Sequence, residues 1–208
     1  MTDFVAVKSI SGPAGNLEVA CALPANSAVA GFAIICHPHP LFGGAMGNKV
    51  VTTLERFFRE RGLATVRFNF RGVGVSEGAF DNGIGESEDL QAVTYFARQY
   101  FPVAEFMLAG FSFGSYVAAR MANTLDAAQL LSIAPPVGKW DFALINAPRM
   151  PWTIVQGELD EIVEPGAVYD FAAKFRPAPT LIRIPDATHF FHGKLLELRT
   201  VLAEHFGQ

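Results

Sequence analysis

The run AEFMLAGFSFGSYVAARMA, residues 104–122, places Ser112 between Gly110 and Gly114 where a buried-strand pattern gives way to a helical one. A sharp turn there holds the hydroxyl clear of a sheet and beside a helix N-terminus, whose N–H groups suit a developing oxyanion. Side chains at positions 110 and 114 would collide with the crossing strand and helix, which accounts for the glycines. A serine hydroxyl is a weak nucleophile at neutral pH and needs a base that a third group orients. Of the five histidines, His189 in IPDATHFFHG follows the apolar run TLIRI and precedes the last helical segment, so it belongs on a loop at the carboxyl end of a strand. His192 is expected to open that helix and His205 to lie on it. For the acid, WTIVQGELDEIVEP offers Asp160, with Glu158, Glu161 and Glu164 as competitors. Asp160 has the shorter, stiffer side chain, and Ile162 and Val163 behind it can tuck its loop against the protein.

The stretch IICHPHPLFGGAMGN follows the first central strand, where a second oxyanion donor is required. Pro38 and Pro40 lack an N–H, so the first donor after His39 is Leu41, paired with the N–H of Phe113. His37 and His39 raise a metal site as an alternative, but no carboxylate or further histidine lies near them in sequence. The glycines of NFRGVGVSEGAF raise phosphate binding, yet both the G-x-G-x-x-G spacing and a P-loop lysine are missing. No cofactor or metal is therefore expected.

These residues need elements to hold them. Residues 4–10 and 17–23 read as two strands around the turn signal SGPAGN, an antiparallel pair at a sheet edge. Short apolar runs follow at 31–36, 63–70, 104–109, 129–134, 152–156 and 180–184, nearly continuous rather than alternating, as suits strands covered on both faces. Helical periods lie between them at 48–62, 87–101, 164–175 and 191–206. Asn48 caps the first of these, where Val51, Leu54, Phe57 and Phe58 form one stripe. The alternation predicts an α/β fold with a mainly parallel sheet and helices on both faces, in which ligands gather at the carboxyl ends of the strands.

At 208 residues the chain is expected to form one domain, residues 1–208. Half of it is hydrophobic and 17% is charged, which excludes disorder. The net charge of −4 and the lack of a Lys/Arg cluster give nucleic acid and anionic membranes no electrostatic footing. Neither a signal-like start nor a transmembrane-length apolar run is present, and the two cysteines, Cys21 and Cys36, suit a reducing compartment, so a cytoplasmic protein is expected. A monomer and a homodimer are equally compatible with this pattern.

HPHPLFGGAMGNKVV, NFRGVGVSEG, GFSFGS, QGELDEIV and DATHFFHG, in this order, resemble a small α/β-hydrolase without a lid, of the serine-esterase or dienelactone-hydrolase-like type. The likeness runs from about residue 17 to 206. It implies the α/β-hydrolase fold, with Ser112 as nucleophile, His189 as base and Asp160 as acid, in the chain order that fold requires. One departure is Pro40 after His39, where the more general pattern is His-Gly. Dienelactone hydrolases commonly carry Cys at the nucleophile position, so Ser112 points to ester or thioester hydrolysis. Only PPVGKWDFALINAPRMP separates the strands near 129–134 and 152–156, too little for a cap domain. The expected partner is a small-molecule ester or thioester bound at an open site lined by Phe42, Phe111, Phe113 and Phe190. A thioesterase or small peptidase is the alternative within this fold, and a non-catalytic α/β binding scaffold the alternative outside enzymes.

Overall fold

The computed structural model describes residues 5–24, 29–101 and 105–207, with side chains from Lys8 onward. Residues 4 and 104, the first positions of two expected strands, lie outside the described residues. Strands β1 (Val5–Gly12) and β2 (Gly15–Ala22) form a hairpin that closes at Gly12 opposite Gly15. Six strands follow: β3 (Gly31–Cys36), β4 (Leu63–Phe68), β5 (Glu105–Phe111), β6 (Gln129–Ile133), β7 (Trp152–Gly157) and β8 (Thr180–Ile184). All eight join one sheet in the order β1-β2-β4-β3-β5-β6-β7-β8. The pairs β1–β2 and β2–β4 are antiparallel and every later pair is parallel.

The parallel strands are the apolar runs because both faces of the sheet are covered. Helices α1 (Lys49–Glu60) and α5 (Leu195–Phe206) pack on one face, where Val51, Leu54, Phe57, Phe58, Leu198 and Leu202 meet Ile35, Ala109 and Val155. Helices α2 (Ile84–Tyr100), α3 (Phe113–Met121) and α4 (Pro165–Ala172) cover the other, with Leu90, Val93, Val117, Val168 and Phe171 against Phe32, Ile34 and Ile154. β3 and β7 are buried along their whole length, and β5 from Phe106 onward. The edge strand β8 keeps only Ile184 fully buried.

Two helices start where their periodicity alone did not put them. α2 begins at Ile84, three residues before the expected 87, because the Glu86 carboxylate accepts the N–H groups of Gly83 and Asp81 at 2.7 and 2.9 Å and fixes the first turn early. α5 begins at Leu195 instead of 191, because Phe191 and Gly193 take left-handed backbone angles (φ 53° and 72°) that a helix does not admit. His192 is therefore exposed in the preceding turn and does not open the helix.

The glycine-rich segment after β4 serves packing. Arg71 is buried and pairs with the fully buried Asp89 of α2, its Nε and Nη2 each within 3.0 Å of that carboxylate. A side chain on Gly74 would strike the Asn69 amide and the Glu18 carboxylate. The loop thus pinned carries Phe70 and Phe80 to the histidines that follow β3. Between β6 and β7 there is only a short excursion with one 3₁₀ turn, Phe142–Leu144, and no cap domain. Among the described residues no helix is long and apolar enough to cross a membrane.

Candidate active site

Ser112 stands between the end of β5 and the first turn of α3 with φ 50° and ψ −121°, a strained conformation for a residue with a side chain. The turn is imposed by close packing. A Cβ on Gly110 would fall on the backbone of Gly114 and Ser115, and a Cβ on Gly114 would fall on the carbonyls of Cys36 and His37. Only glycine at both positions lets strand, turn and helix approach this closely. The turn is held further by the Ser112 N–H on the Ile133 carbonyl (2.9 Å) and by the Ser115 hydroxyl on the Ser112 carbonyl (2.6 Å).

His189 and Asp160 arrive from the ends of β8 and β7. The Ser112 hydroxyl lies 3.0 Å from Nε2 of His189, and Nδ1 of His189 lies 2.8 Å from Oδ2 of Asp160. With Nδ1–H donating to the carboxylate, Nε2 keeps its lone pair for the serine proton. Asp160 is well fixed. Its Oδ1 accepts the N–H groups of Ile162 (2.9 Å) and Val163 (2.8 Å), and Oδ2 also accepts Nε2–H of Gln156 (2.8 Å). Burial pushes the Asp160 carboxyl up, but the bonds from His189, Val163 and Gln156 outweigh it and hold the group below the ordinary carboxylate range. The competing acids have other partners: Glu158 pairs with Arg183, Glu164 caps α4, and Glu161 accepts the backbone N–H of His189 at 3.0 Å.

His37 is a structural pin. Its ring is fully buried, Nδ1 donates to the Pro38 carbonyl (2.6 Å) and Nε2 accepts the N–H of Phe70 (3.0 Å), tying the ends of β3 and β4 together. Burial lowers its pKa from 6.5 to about 4. The folded state therefore holds His37 neutral, and its contribution to stability is complete above pH 6.5. As pH falls from 6.5 toward 4 the unfolded chain takes up a proton that the folded chain refuses, which costs up to roughly 3 kcal/mol. Denaturant titrations at pH 7.5, 5.5 and 4.5 are expected to show this fall, and to show a shallower one in His37→Gln. An equal slope in the two proteins would contradict the assignment. Both nitrogens of His37 thus face backbone partners, and no group of three or more His, Cys, Asp or Glu side chains suited to a metal ion occurs among the described residues.

Three sequence expectations need correction. The N–H of Leu41 donates to Nδ1 of His39 at 3.2 Å, capping the 3₁₀ turn Pro40–Phe42, and is not free for an oxyanion. The N–H of His39 itself makes no hydrogen bond among the described residues, and His39 lines the cavity that holds Ser112, as Leu41 does not. The N–H of Phe113, at the first position of α3, has no intrahelical acceptor. Phe111 does not line the site either. It is fully buried, with its ring centroid 5.3 Å from that of His189, and backs the imidazole from the core. The Phe113 ring is likewise buried, against Trp140 and Phe70. Phe42 and Phe190 do line the cavity, 86% and 41% exposed. They share its wall with Ile162 and Asn48, which sequence reasoning did not assign to the site.

No family model matches the chain. An α/β serine hydrolase without a lid from Xanthomonas campestris is 47% identical, with 98% of this chain and 94% of that one covered and a TM-score of 0.92. An α/β serine hydrolase homologue from Coxiella burnetii is 46% identical, with 99% and 98% covered and a TM-score of 0.93. An uncharacterized protein of Rickettsia prowazekii (strain Madrid E) is 35% identical over 205 residues, 94% of this chain and 86% of that one. At these identities and coverages the chain belongs to the α/β serine hydrolases without a lid.

Proposed function

We propose that the chain hydrolyses carboxylic esters of small or medium acyl groups through an acyl-enzyme on Ser112. The observation that carries this is the continuous relay from the Asp160 carboxylate through His189 to the Ser112 hydroxyl. His189 Nε2 takes the serine proton as Oγ attacks the ester carbonyl, and the resulting imidazolium is stabilised by Asp160. The carbonyl oxygen becomes an oxyanion, which the N–H groups of Phe113 and His39 receive. Collapse expels the alcohol with the proton from His189 and leaves the acyl-enzyme. Water activated by the same nitrogen then attacks the acyl carbon and frees the acid and Ser112. No metal or cofactor enters these steps.

Substrate size follows from the walls. The cavity beside Ser112 measures about 490 Å³, and Phe42, Ile162 and Phe190 give it apolar sides. Each methylene buried there is worth about 0.8 kcal/mol, close to fourfold in kcat/KM. The gain lasts only as long as the walls do. With p-nitrophenyl esters, kcat/KM is expected to rise from acetyl to roughly butyryl or hexanoyl and then to flatten or fall, since no cap extends the wall. A steady rise through dodecanoyl would overturn this account of the site.

A further inference from the structure

Gln156 is the penultimate residue of β7 and is fully buried in a strand buried along its whole length. Its Nε2–H donates to Oδ2 of Asp160 at 2.8 Å, and that same oxygen receives Nδ1–H of His189 at 2.8 Å. The other end of the amide gains little. Oε1 is buried and has no hydrogen-bond partner among the described residues. An unsatisfied buried carbonyl oxygen is costly, and an apolar side chain of the same length, such as methionine, would fill the position without that cost. Nε2 also reaches the carbonyl of the neighbouring Gly157, at a long 3.3 Å. Stability alone therefore gives glutamine little advantage here; what this side chain chiefly supplies is the N–H aimed at the oxygen that orients the imidazole.

We infer that Gln156 is a positioning residue, which fixes Oδ2 of Asp160 so that His189 presents Nε2 to Ser112. The inference rests on the proposed triad. Ile162 and Val163 hold Oδ1 and Gln156 holds Oδ2, so three donors of the protein set the carboxylate before the histidine engages it. Without Nε2–H, Oδ2 is held by His189 alone, and the carboxylate and ring can turn together. Oδ2 also ceases to be shared between two donors, so it binds the protonated imidazole more firmly.

The test uses Gln156→Met and Gln156→Glu in the whole protein, with kcat, KM and the pH profile for a short p-nitrophenyl ester, and the thermal midpoint. Gln156→Met is expected to melt near the wild-type midpoint, since the two N–H bonds it gives up are offset by removal of the unpaired buried oxygen. Its kcat should fall by about tenfold to a hundredfold, the range for losing one hydrogen bond to a charged group, with KM nearly unchanged and the acid limb of kcat/KM moved to higher pH. Gln156→Glu separates the donor from the shape. While protonated, the new carboxyl donates to Asp160 and sustains turnover; once ionised, it sets a second negative charge beside Asp160, so a falling limb absent from the wild type should appear as pH rises. Wild-type kcat and pH profile in Gln156→Met, a loss of activity that only tracks a lower midpoint, or a wild-type profile in Gln156→Glu would each overturn the inference. Fluorophosphonate labelling of Ser112 in the unaltered protein keeps the two readings apart. A labelled Ser112 with indifferent Gln156 variants sinks this inference alone, and an unlabelled Ser112 sinks the triad with it.

Discussion

Ser112→Ala is expected to reduce hydrolysis of short p-nitrophenyl esters to near background, a loss on the order of 10⁶ in kcat. The size of the effect follows from the geometry. Ser112 is the hydroxyl 3.0 Å from Nε2 of His189, and without it the base has no nucleophile to activate and no acyl-enzyme forms. The loss should come without unfolding. Among the described residues the Ser112 hydroxyl makes no hydrogen bond beyond that with His189, and the glycine contacts and backbone bonds that shape the turn do not involve its Oγ. Alanine also has a Cβ, so the strained φ of 50° is as costly in the variant as in the parent. Steady-state assays with active-site titration and a thermal melt check both halves. A variant that keeps more than a small fraction of the parental rate, with an unchanged melt, would contradict the assignment.

The second large effect is expected at Asp160. Both of its oxygens are pure acceptors in the fold: Oδ1 takes two backbone N–H groups, and Oδ2 takes the N–H of Gln156 and of His189. In Asp160→Asn the new NH₂ group must stand on one side or the other, and either side sets it against two donors. Turned toward Ile162 and Val163 it breaks the loop that follows β7. Turned toward His189 it leaves Nδ1–H without an acceptor and favours the opposite tautomer, with the proton on Nε2 facing Ser112. A loss on the order of 10⁴ in kcat is expected, together with lower stability, since buried donors lose their acceptor. Glu158→Gln and Glu164→Gln are expected to stay near the parental rate, because those carboxylates pair with Arg183 and cap α4. If either of them were more damaging than Asp160→Asn, the acid would have been misassigned.

The three residues of the proposed triad could be picked out in the sequence because each is marked by local chemistry. Gly110 and Gly114 flank Ser112 within five residues, and the collisions that make them necessary arise within that turn and from the adjoining end of β3. Asp160 and His189 follow apolar runs that read clearly as strands, and a parallel sheet brings the carboxyl ends of its strands to one edge. The strand order itself, in which β4 lies outside β3, leaves no mark in the periodicity and was not read from the sequence.

What was not legible depends on where a side chain turns. The proposed choice of oxyanion donor hinges on the His39 ring, whose Nδ1 takes the Leu41 N–H, while His39 itself lines the cavity; no spacing rule reports a ring rotation. Phe111 ends a strand covered on both faces, so the sequence pattern carries no alternation to show that its ring turns to the core behind His189. The two proline-flanked histidines look alike in sequence, yet one is a buried pin between two strand ends and the other sits among Phe42, Phe80, Phe113 and Trp140 beside the cavity. Gln156 did leave a signal, a lone amide in the apolar run WTIVQ, but its meaning appears only with Asp160 four residues on and 2.8 Å away.

The central claim is that Ser112 is a nucleophile activated by His189, and covalent trapping tests it most directly. After reaction with a fluorophosphonate, the intact protein is expected to gain the mass of one adduct, and fragmentation is expected to place that adduct on Ser112. An adduct on another residue, or none on a protein that still hydrolyses esters, would contradict the account.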